Sequence, residues 1–294
     1  MSLRILQFGT TGQLGVELVR QGAARSADLT ALSRADADLA DPAACAARIV
    51  AARPDIVLIA AAYTAVDQAE READLAHRIN AETPGAIAAA AAQVGAAVVN
   101  ISTDYVFDGA GGAPYPETAP TNPLNVYGAS KLAGEHAVAA ANPRSLNVRT
   151  SWVVSPHGKN FVKTMLRVAA AGNPLKVVDD QLGRPTSAAD LAGFLLDLAP
   201  RLAAAPAGDP LFGTVHFAND GEVSWRGFAQ AIFAGALGDK APDVAATTTA
   251  EYVTPARRPL RATMDLTRLQ RDFGVNPRDW RKALKDILAE LPPA

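Results

Sequence analysis

The chain of 294 residues contains one cysteine, Cys45, so an internal disulfide is excluded and stability must come from packing. A reducing cytoplasmic compartment is the expectation that follows. An excess of either charge is also missing. The 28 Lys and Arg residues nearly balance 30 Asp and Glu, leaving a net charge of −2. That removes the electrostatic case for nucleic acid or an anionic membrane as partner. Short basic spots such as Arg257-Arg258 read as solvated surface or a small anion site. No apolar run reaches the roughly 20 residues of a membrane-spanning helix. A secretory signal pattern is not expected either, because strand-like residues begin at Leu3. The histidines His77, His136, His157 and His216 are scattered, no Cys/His ligand cluster exists, and no Gly-x-Ser-x-Gly elbow is present. Hydrolase and metalloenzyme chemistry therefore find little support.

What remains is a composition with 49% hydrophobic and 20% charged residues, that of a globular protein with one large core or two intimate ones. Apolar runs at Leu3–Phe8, Leu29–Leu32, Asp55–Ala60, Ala96–Ser102 and Asn147–Val153 read as strands, apolar on both faces. Helical stretches separate them: Val16–Gln21, Pro42–Ala52 with Asp41 as N-cap, Glu70–Gly95, and a helix from about Tyr127. The alternation predicts an α/β protein with a doubly wound parallel sheet. Beyond residue 152 the rhythm loosens. Helices are expected at Asn160–Ala171, Ser187–Leu202 and Ser224–Leu237, strands at Leu175–Val178 and Thr214–Ala218, and a mainly helical tail from Thr263 to Leu291. The expected organisation is a Rossmann domain of residues 1–152 and about 186–217. A smaller mixed α/β substrate-binding lobe would take about 153–185 and 218–294.

The sequence Gly9-Thr10-Thr11-Gly12-Gln13-Leu14-Gly15 falls directly after the first strand and opens the first helix. Glycines there permit a tight turn and close approach of backbone to a pyrophosphate, which a helix N-terminus stabilises. The second strand ends in Ser33-Arg34 with no acid at its tip. An acid would bind a ribose 2′-hydroxyl, whereas an arginine accepts a 2′-phosphate, so NADPH is expected, with NADH also possible. The alternative is that Arg34 simply faces solvent and that Asp36 or Asp38 touches the adenosine; Asp38 and Leu39 are counted with Ser33 and Arg34 among the cofactor-binding candidates. Small residues Ala60, Ala61 and Ala62, then Tyr63 and Thr64, end another strand and let a cofactor lie close. Thr103 ends the next one, where open α/β sheets bind ligands. Tyr127 and Lys131 stand one helical turn apart on one face. Such a pair alone is ordinary helix surface. Beside a nucleotide loop it is a proton-delivering device, in which the ammonium is expected to lower the phenol pKa.

Together these motifs resemble the dTDP-4-dehydrorhamnose reductases, a family within the extended short-chain dehydrogenase/reductases. The resemblance runs through Gly9–Gly15, Ala60–Glu70, Ser102–Gly109, Pro123–Glu135, Arg149–Trp152, the segment from Asn160, Asp180–Thr186 and the Arg258-Pro259 loop. It implies reduction of the 4-keto group of dTDP-4-dehydro-β-L-rhamnose. Tyr127 would be the proton donor, Lys131 the ribose-binding cation and Thr103 the hydrogen-bond donor to the reacting oxygen. Asp104, Tyr105, Trp152 and Arg258 would stand around the substrate. The resemblance also allows Mg²⁺ at Glu17, Asp190 and Glu290, and a monomer or homodimer acting on a nucleotide sugar. Two departures stand out: Ser33 replaces a frequent acid, and Tyr63 a frequent histidine.

Three rivals are weighed against this. A dehydratase would carry a glutamate after Asp104, where Tyr105 stands. An epimerase retains NAD⁺, which the Ser33-Arg34 end does not favour. A non-catalytic NADP-binding protein, like the regulatory subunit of methionine adenosyltransferase, would not require Thr103, Tyr127 and Lys131 together.

Overall fold

The computed structural model describes residues 3–172 and 174–292. The first half alternates as the periodicity predicts, with strands β1 (Arg4–Phe8), β2 (Asp28–Leu32), β3 (Ile56–Ile59), β4 (Ala97–Thr103) and β5 (Ser145–Thr150). Between them lie helices α1 (Gln13–Ala24), α2 (Pro42–Ala52), α3 (Val66–Ala69), α4 (Ala73–His77), α5 (Thr83–Val94) and α6 (Val126–Ala141). Next come β6 (Val153–Val154), α7 (Phe161–Ala170), β7 (Leu175–Val178), β8 (Leu182–Gly183), β9 (Thr186–Ser187) and α8 (Ala188–Ala204). The chain closes with β10 (Gly213–His216), β11 (Val223–Ser224), α9 (Trp225–Leu237), β12 (Val244–Thr247), α10 (Thr267–Phe273) and α11 (Trp280–Glu290).

Six strands form one sheet in the order β10-β5-β4-β3-β1-β2, every neighbouring pair parallel. Helices α1 and α8 cover one face through Leu14, Leu18, Leu191 and Leu195, while α2 and α5 cover the other through Cys45, Ile49, Ile87 and Ala91. This is the doubly wound α/β architecture. At the edge, β2 differs from expectation: Asp28 and Thr30 are exposed, because an end strand buries less than its neighbours. A separate core cluster joins Val154, Val162, Met165, Leu175, Val177, Phe228, Phe233, Trp280 and Ile287. Leu269 and Phe273, within the span assigned above to the small lobe, instead pack with Phe194 and Phe217 on the sheet.

Local chemistry sets the helix starts. Asp41 Oδ1 accepts from the Ala44 N–H at 3.0 Å, with Pro42 in the first turn, as the sequence predicts. Asn125 caps α6 by accepting from the Gly128 N–H at 2.8 Å. The tail is less helical than expected. Residues 263–265 are extended, exchanging backbone hydrogen bonds with Tyr115 at 2.8 Å, and only α10 and α11 are regular. The short strands β6, β8, β9 and β11 carry too few residues for a two-residue period to be read.

Helix α6 lies against the π-helical segment Arg78–Glu82, where Gly134 meets the Asn80 carbonyl so closely that a Cβ would clash with it. Gly134→Ala is therefore expected to cost about 1–3 kcal/mol of stability, read by urea denaturation. An unchanged midpoint would show that α6 does not need this approach.

Candidate active site

At the carboxyl edge of the sheet, a cavity of about 590 Å³ gathers residues from both halves of the chain. Its lining includes Gly9, Thr11, Gly12, Gln13 and Leu14 at one end, Ala60, Ala61, Ala62 and Thr64 along the floor, and Thr103, Asp104, Tyr105, Tyr127, Lys131 and Trp152 beyond. Clefts of about 540 Å³ beside α8 and 790 Å³ beside α10 contain none of these residues.

The loop after β1 is shaped by three different glycine requirements. Gly9 has φ +95°, and a Cβ on it would lie 2.6 Å from Ala61 Cβ. A Cβ on Gly15 would run into the Gly9 carbonyl, whereas one on Gly12 would meet nothing within 4 Å. Gly12 thus leaves open space at the start of α1, which has no side-chain cap and no acid in its first turn. That end is fit for a pyrophosphate. Buried Gln7 braces the loop from β1, donating to the carbonyls of Gly9 (2.6 Å) and Gly15 (3.0 Å). A polar residue inside an otherwise apolar strand was the available signal for it. Gln13 turns toward the small lobe, donating to the Val153 carbonyl and accepting from Ser155 Oγ and Asn160 Nδ2, each at 2.9 Å.

Several expected cofactor residues lie outside this lining. At the tip of β2, Ser33 Oγ donates to Asp36 (2.6 Å) and Arg34 pairs with Asp38 (3.1 Å) while 83% exposed. Leu39 is buried, its carbonyl accepting from Thr83 Oγ1 at 2.6 Å. Tyr63 directs its hydroxyl to Glu72 at 2.6 Å. Arg258 is also outside, engaged with Asp67 through two bonds of 3.0 and 2.9 Å.

Four groups of the inner cavity, Tyr105, Tyr127, Lys131 and Asp104, are displaced toward their neutral forms, chiefly by burial. Burial pushes Tyr127 up to about 12, the Asp104 charge adds to this, and a hydrogen bond with Thr103 opposes it. The expected lowering by Lys131 is not found: burial sets the shift, and the charges and hydrogen bonds that modify it come from Asp104 and Thr103. Burial also pulls Lys131 down to about 8, against the attraction of Glu135. Buried Asp104 is pushed up to about 7, despite the Thr103 hydroxyl donating to Oδ1 at 3.1 Å. The rings of Tyr105 and Tyr127 meet edge to face, with centroids 5.8 Å apart.

Trp152 has φ +46°, unusual for a bulky residue, and stacks on Trp225 with centroids 3.6 Å apart. Trp225 also lines the cavity and was missed from the sequence, where Ser224–Leu237 offers only helix periodicity. Thr150 and Ser151 line it too, inside the Arg149–Trp152 segment of the resemblance though not singled out there, and so does Lys159, which had no distinguishing pattern.

The proposed Mg²⁺ residues do not form a site. Glu17 accepts from Arg20 at 3.0 and 2.8 Å, Asp190 from Arg278 and Asn219 at 2.8 and 2.6 Å, and Glu290 lies 3.9 Å from Arg20. These cations already neutralise the carboxylates, and no metal-binding group of His, Cys, Asp and Glu occurs among the described residues.

Residues 3–292 match the family described as the RmlD substrate binding domain. A dTDP-4-dehydrorhamnose reductase of Sinorhizobium fredii is 42% identical, the alignment covering 98% of each chain. A solved dTDP-4-dehydrorhamnose reductase of Bacillus anthracis, in complex with NADP, superposes with a TM-score of 0.91 at 36% identity. It covers 99% of this chain and all of that one. The Clostridium acetobutylicum structure of the same description gives 0.90 at 38%, covering 98% and 99%.

Asp104 makes the cavity's electrostatics measurable. Its folded pKa lies above the usual carboxylate value, so the folded state holds the proton more tightly. Stability is consequently lost as pH rises from about 4 through 7 and is regained on acidification. Asp104→Asn should raise the melting temperature at pH 8, with the gap narrowing by pH 5. A gap that is constant with pH would refute the assignment.

Proposed function

The chain belongs to the RmlD substrate binding domain family, and on that premise we propose that it reduces the 4-keto group of dTDP-4-dehydro-β-L-rhamnose to dTDP-β-L-rhamnose, within dTDP-rhamnose biosynthesis. It is an NAD(P)H-dependent oxidoreductase. The observation carrying this reading is one cavity that joins a nucleotide-fit loop to Thr103, Tyr127 and Lys131.

Thr10, Thr11, Gly12, Gln13 and Leu14 would hold the cofactor pyrophosphate, with Ala60, Ala61, Ala62 and Thr64 beneath the rest. Bound there, the nicotinamide supplies the hydride. Tyr127 remains a neutral phenol through the working pH range, as a general acid must, and donates its proton to the carbonyl oxygen. Thr103 donates a hydrogen bond to that oxygen as negative charge develops. In the resting chain the same hydroxyl donates to Asp104, so it exchanges one oxygen acceptor for another. Lys131 binds the nicotinamide ribose. Asp104, Tyr105 and Trp152 position the sugar, and Arg258 stands close enough to Tyr105 to interact with its hydroxyl.

NADPH is the preferred donor in this reading, with NADH accepted. Arg34 supports it: the exposed guanidinium can exchange Asp38 for a 2′-phosphate. The proposal contains no Mg²⁺ step. No described helix is long and apolar enough to cross a membrane, which is compatible with the proposed cytoplasmic place. We also propose the sheet domain and small lobe with the limits given above, except that α10 belongs with the sheet on which it packs, acting as a monomer or homodimer. A purely NADP-binding regulatory role leaves the convergence of Thr103, Tyr127 and Lys131 without a purpose.

Loss of NADPH absorbance with fresh 4-keto sugar nucleotide tests the reaction. Tyr127→Phe should lower kcat by about 100-fold or more while NADPH still binds, as followed by fluorescence titration. Near-normal turnover would remove Tyr127 from the acid role. Arg34→Ala should raise the NADPH Kd more than that for NADH; equal changes would contradict the 2′-phosphate contact.

A further inference from the structure

One turn beyond Lys131 on α6 stands Glu135, and both are buried, with 2% and 3% exposure. Two strands reach its carboxylate. Ser102 Oγ of β4 donates to Oε1 at 2.5 Å, and Arg149 of β5 donates from Nε to Oε1 at 2.9 Å and from Nη2 to Oε2 at 2.7 Å. Ser102 and Arg149 are register partners in the sheet, directly before the Thr103–Thr150 pair at the cavity. Arg149 also lies over the Phe107 ring, 5.2 Å from its centroid. A buried ion pair is weak evidence of stabilisation, since apolar replacements of similar volume are often as stable. Its position behind the proton-delivering pair needs another explanation.

We infer that Glu135, fixed by Arg149 and Ser102, is a positioning residue that keeps Lys131 charged, with Arg149 limiting the strength of that effect. The inference rests on the reductase reading, which gives the Lys131 ammonium its purpose. Among the other charged or titratable groups of α6 and the elements packed on it, His136 of α6 is exposed and Glu70 accepts from the Val126 N–H at 2.8 Å. Tyr127 precedes Lys131 on α6, and Asp104 and Tyr105 lie beyond β4. On the opposite side, α4 carries Asp74 and His77, while Arg78 and Glu82 lie 3.9 Å apart near the surface. Asp67 of α3 is held by Arg258, and α5 contributes no charge. Of these charges, Glu135 is the one that opposes the desolvation of Lys131.

Lys131 is one of only seven lysines, so its side-chain ¹³Cε resonance can be assigned with Lys131→Arg and titrated in the full chain without cofactor. Glu135→Gln should move the Lys131 midpoint down by about one pH unit. Arg149→Met should move it up, and the double variant should fall between the two singles. The alkaline limb of kcat/KM, measured at saturating NADPH, should shift in the same directions. A merely structural clamp would lower thermal stability in both single variants without opposite displacements of one lysine. If Glu135→Gln does not fold, the double variant compared with Arg149→Met decides, because both lack the Arg149 charge. A Lys131 midpoint that ignores removal of the carboxylate overturns the inference. Displaced midpoints with an unmoved rate profile uphold the coupling and count against the reductase role of Lys131 instead.

Discussion

Parallel pairing in the central sheet is the constraint on which the site depends. Because β1, β3, β4 and β5 run in one direction, each delivers its carboxyl end to one edge. The order β2-β1-β3 reverses direction of travel across the sheet at β1, opening the crevice between β1 and β3. Gly9 and the alanines after β3 therefore face each other, tightly enough that only glycine fits at position 9. The same rule carries Thr103 to the edge and leaves Ser102 one residue behind it, pointing toward the support beneath α6.

Burial dominates the electrostatics of that edge. Tyr127, Asp104 and Lys131 differ in chemistry, yet desolvation drives all three toward the uncharged form. For a ketone reduction this has a consequence. An acid that is already ionised has no proton to donate, whereas a neutral phenol can release one as the carbonyl oxygen becomes alkoxide-like. The familiar picture of an ammonium pulling down its neighbouring phenol underestimates how strongly a dry cavity resists creating phenolate before substrate and cofactor provide compensating contacts. Thr103 is poised at this boundary because its hydroxyl serves Asp104 at rest.

Much of this geometry was legible because it depends on short-range order. The loop from Gly9 to Gly15, the strand ends at Ala60 and Thr103, and the one-turn spacing of Tyr127 and Lys131 follow from local periods, and parallel topology assembles them. Trp225 could not be found in that way. It begins an ordinary amphipathic helix, and reaches the cavity because α9 docks beside Trp152. Nor could periodicity show that Asp190 is neutralised by Arg278, a contact spanning 88 residues of chain, although Glu17 and Arg20, three apart on α1, lay within its reach. The lowered phenol pKa was misjudged for a related reason: adjacency is visible in sequence, while dielectric surroundings are not.

Trp152 shows how the two halves of the cavity constrain one another. A left-handed backbone costs a non-glycine residue about 1–2 kcal/mol, so surrounding contacts must hold it. Trp225 covers one ring face, and Gly183 leaves the space along an edge that a Cβ would enter at 2.7 Å. Immediately afterwards, the Val153 carbonyl accepts from Gln13, whose side-chain oxygen also receives Ser155 and Asn160. Residues 152–160 are thus tied to the cofactor loop on one side and to the tryptophan stack on the other. Neither tie lies near the other in sequence, so this wall of the cavity takes its shape only when α9 is docked beside the sheet.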